Sequence, residues 1–209
     1  MKRALRTFSK NLVSQRWAMR AARNPLIRKS WVGVSLIHGV GMIELKKNAD
    51  ERGFFAELIR EDWKSFLEGD HIVQFSLSQS QPDVIRAWHR HTRGQNDYLV
   101  CVSGTIRCCV YDDRKGSKTR GELDEFVLTG TDALWLVRIA GDCWHGYKVI
   151  SQEPALVLYG VTKLYDHAKP DEERLAWDDG SVIPTSINGR ADDSRAGSSY
   201  DWGGPADPR

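Results

Sequence analysis

DVIRAWHRHTRGQNDYLVCVSGTIRCCVYDD, residues 83–113, carries the fold in its spacing. Two runs of strand-forming text, DVIRAWHRH and YLVCVSGTIRCCVYDD, flank TRGQND, whose Gly, Asn and Asp read as a turn. The second run is itself broken at Ser103-Gly104 and reads as a hairpin. Upstream, HIVQFSLSQS alternates Val73, Phe75 and Leu77 against Gln74, Ser76 and Ser78, the period of a strand. Before it stand an entry strand or two in residues 31–46, then DERGFFAELIRED, a turn followed by a strand. Downstream, EFVLTG, ALWLVRI, WHGYKVIS and ALVLYGVTKLY supply further short strands. Many short strands, Gly and Asp turns and no repeated long helix predict an all-β sandwich or barrel.

The ends differ from this body. Residues 1–30 hold nine of the chain's 30 Lys and Arg and none of its 28 Asp and Glu, so a basic arm precedes an acidic body. Leu5, Phe8, Leu12, Val13 and Trp17 recur at helical spacing, and Asn24-Pro25 ends the pattern. The arm reads as a solvated helix packed on a neighbour's acidic surface. Peripheral contact with an anionic membrane, or a processing segment, are the alternatives. From Pro184 the text turns to Gly, Ser, Asp and Pro, an irregular polar tail that Tyr200 and Trp202 can tie down. The organisation expected is an arm (1–30), a β-barrel domain (31–183) and a tail (184–209).

With 41% apolar and 28% charged residues, the chain is globular rather than disordered. A basic arm on an acidic body is not a nucleic-acid-binding domain. No run approaches the length of a membrane span, and no apolar signal-peptide core follows the basic start. Cys101, Cys108, Cys109 and Cys143 form no C-x-x-C pair, and three lie in apolar strand text, as buried free thiols do. A reducing, cytoplasmic setting is expected.

Four stretches, in order and near one spacing, resemble the dTDP-4-dehydrorhamnose 3,5-epimerase family. They are Asp50 with Arg52-Gly53-Phe54-Phe55 and Glu57; Gln74-x-Ser76-x-Ser78-x-Ser80 leading into Arg86-Ala87-Trp88-His89; YLVCVSGTI with YDDR; and His145-Gly146-Tyr147 followed by Leu158-Tyr159, Thr162, Tyr165 and Trp177-Asp178-Asp179. The resemblance spans roughly residues 46–180. It implies a cupin jelly-roll barrel, a homodimer, a dTDP-linked 4-keto-6-deoxyhexose as substrate and no cofactor.

The resemblance also assigns roles. His89 matches the base and Tyr159 the acid on the opposite face. The protons at C3 and C5 are both α to the C4 ketone, so removing either gives an enolate, and an imidazole near neutrality suits that step. Arg52 and Phe54 match the nucleotide-binding stretch, which reaches across the dimer. A guanidinium suits phosphate and a ring suits a base. Glu57, Gln74, Arg86, His145 and Tyr165 complete the substrate-binding set.

Three departures stand out. Tyr98 occupies the position of the family's lysine, which stabilises the enolate oxygen, and a phenol offers one hydrogen bond without a charge. The family's acidic residue that orients the histidine has no clean counterpart, and Asp192 or Asp193 is its candidate. The rim Ile139-Ala140-Gly141-Asp142-Cys143-Trp144 replaces the family's turn. These departures keep open a 3,4-ketoisomerase, a binding protein without catalysis, and a metal-dependent cupin with His89, His91, Gln95 and His145 as ligands.

Overall fold

The structure, a computed structural model, describes residues 37–203. The basic arm and the start of the entry strand lie outside the described residues. Two antiparallel sheets face each other. One has five strands in the order β1 (Gly41–Leu45), β9 (Leu134–Ala140), β6 (Asn96–Ser103), β11 (Ala155–Val161) and β4 (Gln74–Ser80). The other has six, in the order β12 (Glu173–Arg174), β5 (Ile85–Arg90), β10 (Trp144–Val149), β7 (Thr105–Tyr111), β8 (Glu122–Thr129) and β13 (Ser186–Ile187), the last pairing parallel to β8. A hairpin of β2 (Asn48–Asp50) and β3 (Gly53–Phe55) stands apart, and among the described residues one short helix, α1, spans Lys64–Leu67. This is the expected all-β jelly-roll barrel.

Period-two alternation builds three apolar layers from the same strands. Between the sheets lie Leu99 and Cys101 of β6, Val137 and Ile139 of β9, Ile106, Cys108 and Val110 of β7, and Val149 of β10. The alternate residues of the five-stranded sheet, Tyr98, Val100, Leu134 and Leu136, face outward beneath Phe66 and Leu67 of α1. On the outer face of the six-stranded sheet, Trp88, Cys109, Leu123 and Trp144 are roofed by Val182, Ile187, Tyr200 and Trp202. The C-terminal segment therefore closes a layer of the barrel. Trp202 is fully buried, with its ring centroid 4.7 Å from that of Trp88. All four cysteines are buried free thiols.

One expectation is corrected. Ser103-Gly104 is not a hairpin turn, because β6 and β7 belong to different sheets. Gly104 carries the chain across the barrel at φ +72°, and a Cβ there would stand 2.8 Å from the Ala155 Cα. Only glycine fits that corner.

Candidate active site

The centre of the barrel is polar because a bulge turns two side chains inward that simple alternation would set on opposite faces. On β10, His145 and Tyr147 are two residues apart and both point between the sheets. Across the ladder His145 pairs with His89, but Tyr147 pairs with Arg86, three residues earlier. The extra residue on β5 is a β-bulge. It brings Arg86 and His89 to the same inner face and sends Ala87 and Trp88 together to the outer apolar layer. Gly146 permits the bulge, since a Cβ there would lie 2.4 Å from the Ala87 Cβ and 2.6 Å from the Arg86 carbonyl oxygen.

His91, just beyond β5, and Asp97 of β6 complete a buried cluster with His89 and His145. One ligand atom from each of the four lies within 4.8 Å of the others. The rings of His89 and His145 are 4.1 Å apart between centroids. Asp97 Oδ2 lies 3.3 Å from His145 Nε2 and 3.5 Å from His91 Nε2, while the Gln95 amide donates to Asp97 Oδ1 at 2.8 Å. His145 Nδ1 donates to the Cys143 carbonyl at 2.9 Å, and His91 Nδ1 donates to the Asp171 carbonyl. Gly141 holds this rim closed, because a Cβ there would overlap the Gln95 carbonyl oxygen.

Burial pushes His89 well below the usual histidine range, and the neighbouring His145 adds to the effect. Burial opposes the charge of Asp97, but its hydrogen bonds with His145 and then His91 outweigh that and hold the carboxyl far below the usual range. Burial likewise works against protonated His91, and its hydrogen bond with Asp97 reverses the balance, raising its pKa. The cluster thus contains a carboxylate and a neutral, nucleophilic His89.

The opposite wall comes from β4 and β11. Ser78 and Ser80 lie 3.1 and 3.0 Å from the Tyr147 hydroxyl, and Arg86 Nε donates to Ser80 Oγ at 2.8 Å. Tyr159 stands on β11 between Ser76 and Leu99 in the ladder and faces inward. Burial raises its phenol, with Tyr147 beside it, so the proton stays on at neutral pH. The polar alternation of β4 therefore lines the pocket, and its apolar partners point out.

The model of the dTDP-4-dehydrorhamnose 3,5-epimerase family matches residues 35–188, nearly the whole barrel. The chain belongs to that family. It is 46% identical over 142 residues to the probable low-salt glycan biosynthesis epimerase Agl13 of Haloferax volcanii, covering 68% of this chain and 89% of that one. It is 40% identical over 147 residues to the spore coat polysaccharide biosynthesis protein SpsL of Bacillus subtilis, covering 70% of this chain and 94% of that one. Among solved structures, the 3,5-epimerase of Legionella pneumophila in complex with dTDP-4-keto-L-rhamnose superposes with a TM-score of 0.63 at 28% identity, over 70% of this chain and 77% of that one. Members of this family are sugar-nucleotide epimerases, and this chain is an enzyme of that kind.

Within the family frame, the expected residues divide. His89, Arg86, His145 and Tyr159 meet in the barrel. Gln74 lies at the pocket's edge, where its Oε1 accepts the Tyr165 backbone N–H at 3.1 Å and its amide donates to Ser76 at 3.2 Å. The Tyr165 ring is exposed beside His167. Arg52, Phe54 and Glu57 sit on and after the exposed β2–β3 hairpin. Arg52 is paired with Asp50 and Glu57 with Arg60.

Three site assignments are corrected. Tyr98 faces the outer layer, not the pocket. Its hydroxyl donates to Asp70 at 2.7 Å, and Arg138 packs against both. Asp192 is exposed after β13, with β10, β7 and β8 between that edge and β5. The neighbouring Asp193 is taken by Arg190 and Arg195. Gln95 turns its amide nitrogen, not its oxygen, to the cluster, 2.8 Å from Asp97 Oδ1 and 3.1 Å from His91 Nε2. Asp97 is the residue that sequence reasoning missed. Its signal was parity: it shares a face with Leu99 and Cys101.

Proposed function

We propose that the pocket epimerises a dTDP-linked 4-keto-6-deoxyhexose at C3, C5 or both, with His89 as base and Tyr159 as acid. The observation that carries this is the placement of an imidazole whose pKa is depressed on one sheet and a phenol whose pKa is raised on the facing sheet, both turned toward the interior. Inversion needs that arrangement. His89 takes the proton α to the ketone, the electrons move onto the C4 oxygen, and Tyr159 returns a proton from the other face. Microscopic reversal by His89 alone would give exchange without inversion. Arg86, already turned inward by the bulge, is suited to an oxygen or phosphate of the ligand.

A homodimer completes this reading. The edge strand β4 exposes Phe75 (54%) and Leu77 (62%), and the β2–β3 hairpin exposes Phe54 and Phe55. Apolar patches of this kind on a sheet edge favour association. An exposed Arg52 on that hairpin fits a diphosphate in the neighbouring barrel. The four free thiols support a cytoplasmic setting. The function is tested by incubating the enzyme with dTDP-4-keto-6-deoxyglucose in deuterated water and following the ring protons by NMR. Deuterium at C3 or C5 with inverted product is expected, and an unchanged spectrum would refute the proposal.

A further inference from the structure

The family match ends at residue 188, and beyond it the chain is strapped across the outer face of the six-stranded sheet. The Tyr200 N–H donates to the Val182 carbonyl at 2.8 Å, and its hydroxyl donates to Glu125 of β8. Arg107 of β7 donates to the Trp202 carbonyl at 2.7 Å, and Lys148 of β10 to the Gly203 carbonyl at 3.0 Å. Three strands thus grip the strap, and its rings reach a fourth. There the Trp88 ring of β5 meets Trp202 at 4.7 Å and Tyr200 at 5.7 Å between centroids, spacings at which aromatic rings attract. Trp88 and Trp202 are both buried.

Trp88 is the residue before the base. The bulge that sends Ala87 and Trp88 outward is the one that turns Arg86 and His89 inward. The ladders beside it are broken or short. On one side β5 meets β10 with the register shifted between His145 and Tyr147. On the other side stands β12, two residues long, and next to it the Trp88 backbone exchanges hydrogen bonds with Leu175 at 3.2 and 3.0 Å. A bulge re-aims side chains locally, and its setting here depends on where the large ring can be buried. An unroofed Trp88 would turn away from water, and the period of two makes that turn carry His89 off the inner face.

We infer that Trp202 is a positioning residue for His89: packed on Trp88 from outside the sheet, it fixes the bulge that aims His89 and Arg86 into the barrel. The inference rests on the functional reading above, in which His89 is the base. Trp202 lies across the sheet from the pocket, so it acts through Trp88, as supporting residues lock the rotamer of a reacting group. A displacement of about 1 Å at such a group can cost about 10²-fold in rate. The strap therefore governs turnover without facing the substrate.

Position is read apart from activity, by NMR of full-length protein labelled with ¹⁵N at histidine. The His89 ring signals are those missing in His89→Asn. In Trp202→Ala they should move, and exchange and inversion on dTDP-4-keto-6-deoxyglucose should fall together by about 10- to 10²-fold. Trp202→Phe, which keeps a ring on Trp88, should recover most of the rate. Leu134→Ala empties the outer layer of the other sheet. It should lower the urea midpoint yet leave the His89 signals and the rate in place. Arg107→Met frees the Trp202 carbonyl and keeps the ring. It should move the same signals by less, and it carries the test if circular dichroism shows Trp202→Ala unfolded. His89 signals that stay in place in the folded variant overturn the inference, whatever the rate does. So does a wild-type rate of exchange in Trp202→Ala, or an equal change in Leu134→Ala. Signals that move in a protein whose wild type exchanges nothing on the sugar leave the positioning standing and refute the functional reading instead.

Discussion

Asp97 and Tyr98 are adjacent on β6, yet they belong to two polar clusters of opposite character. Outside the five-stranded sheet, Tyr98 joins a closed network. Arg138 donates to Asp70 and to Glu68 at 2.9 Å each, and Asn96 donates to both oxygens of Asp70 at 3.0 Å. The Arg138 guanidinium and the Asn96 amide meet the two carboxylates there. Inside the barrel, Asp97 faces imidazoles whose outer nitrogens are already committed, and His89 is held neutral. There the Gln95 amide nitrogen lies 2.8 Å from Asp97 Oδ1 and 3.1 Å from His91 Nε2, and His145 Nε2 lies 3.3 Å from Asp97 Oδ2, so a buried carboxylate sits among imidazoles beside His89. A network closed by charged donors and acceptors secures a wall, while a buried carboxylate among imidazoles is suited to proton transfer.

The two clusters should differ most at His89. His89→Asn keeps a polar group of similar reach and removes the base, so exchange at every ring carbon should fall by about 10²–10⁴-fold by NMR. A variant that still exchanges at the wild-type rate would move the base elsewhere. Next comes Arg52→Ala. Phosphate contacts far from the reacting carbon act as uniform binding, so KM should rise while kcat changes little. An unchanged KM, with a monomer in sedimentation velocity, would remove the hairpin from the site.

The pH dependence sharpens the electrostatic side. Protonated His89 has no lone pair to accept a proton, so kcat/KM falls as pH drops through its folded pKa. Burial and the adjacent His145 place that pKa below the ordinary 6.5. The acid limb of the profile should therefore lie under pH 6.5, with activity level above it. A limb centred above 7 would contradict a desolvated base. The smallest effect belongs to the outer cluster. Tyr98→Phe removes the hydrogen bond donated to Asp70 and the one accepted from Arg138, costing about 1–3 kcal/mol in urea unfolding, and should leave turnover unchanged. A large loss of activity there would return Tyr98 to the catalytic set.

The strands were legible because alternation and turn residues report backbone geometry directly. His89, Arg86 and Tyr159 were legible through motif order. The inner carboxylate was not. Asp97 lies in QNDYLV, where the match to Leu-Val drew attention to Tyr98, and a one-residue error in parity exchanges the two faces. The bulge at Ala87–Trp88 was equally hidden, since it shows only when β5 is laid against β10. Ser103-Gly104 was misread for a related reason: a glycine corner between sheets and a hairpin turn use the same residues. Position in the tail points to Asp192, whereas its distance from the pocket follows from β13 pairing with β8.

In the proposed mechanism two groups on facing sheets divide one proton transfer. Tyr159→Phe tests it most directly, because the ring and its packing remain while the phenolic proton is lost. With dTDP-4-keto-6-deoxyglucose in deuterated water, the rate of exchange and the rate of inversion are read from the same NMR series. Exchange through His89 should continue, and inversion should fall by about 10²-fold or more. If exchange and inversion both proceed at wild-type rates, Tyr159 is not the acid and the two-sided account fails.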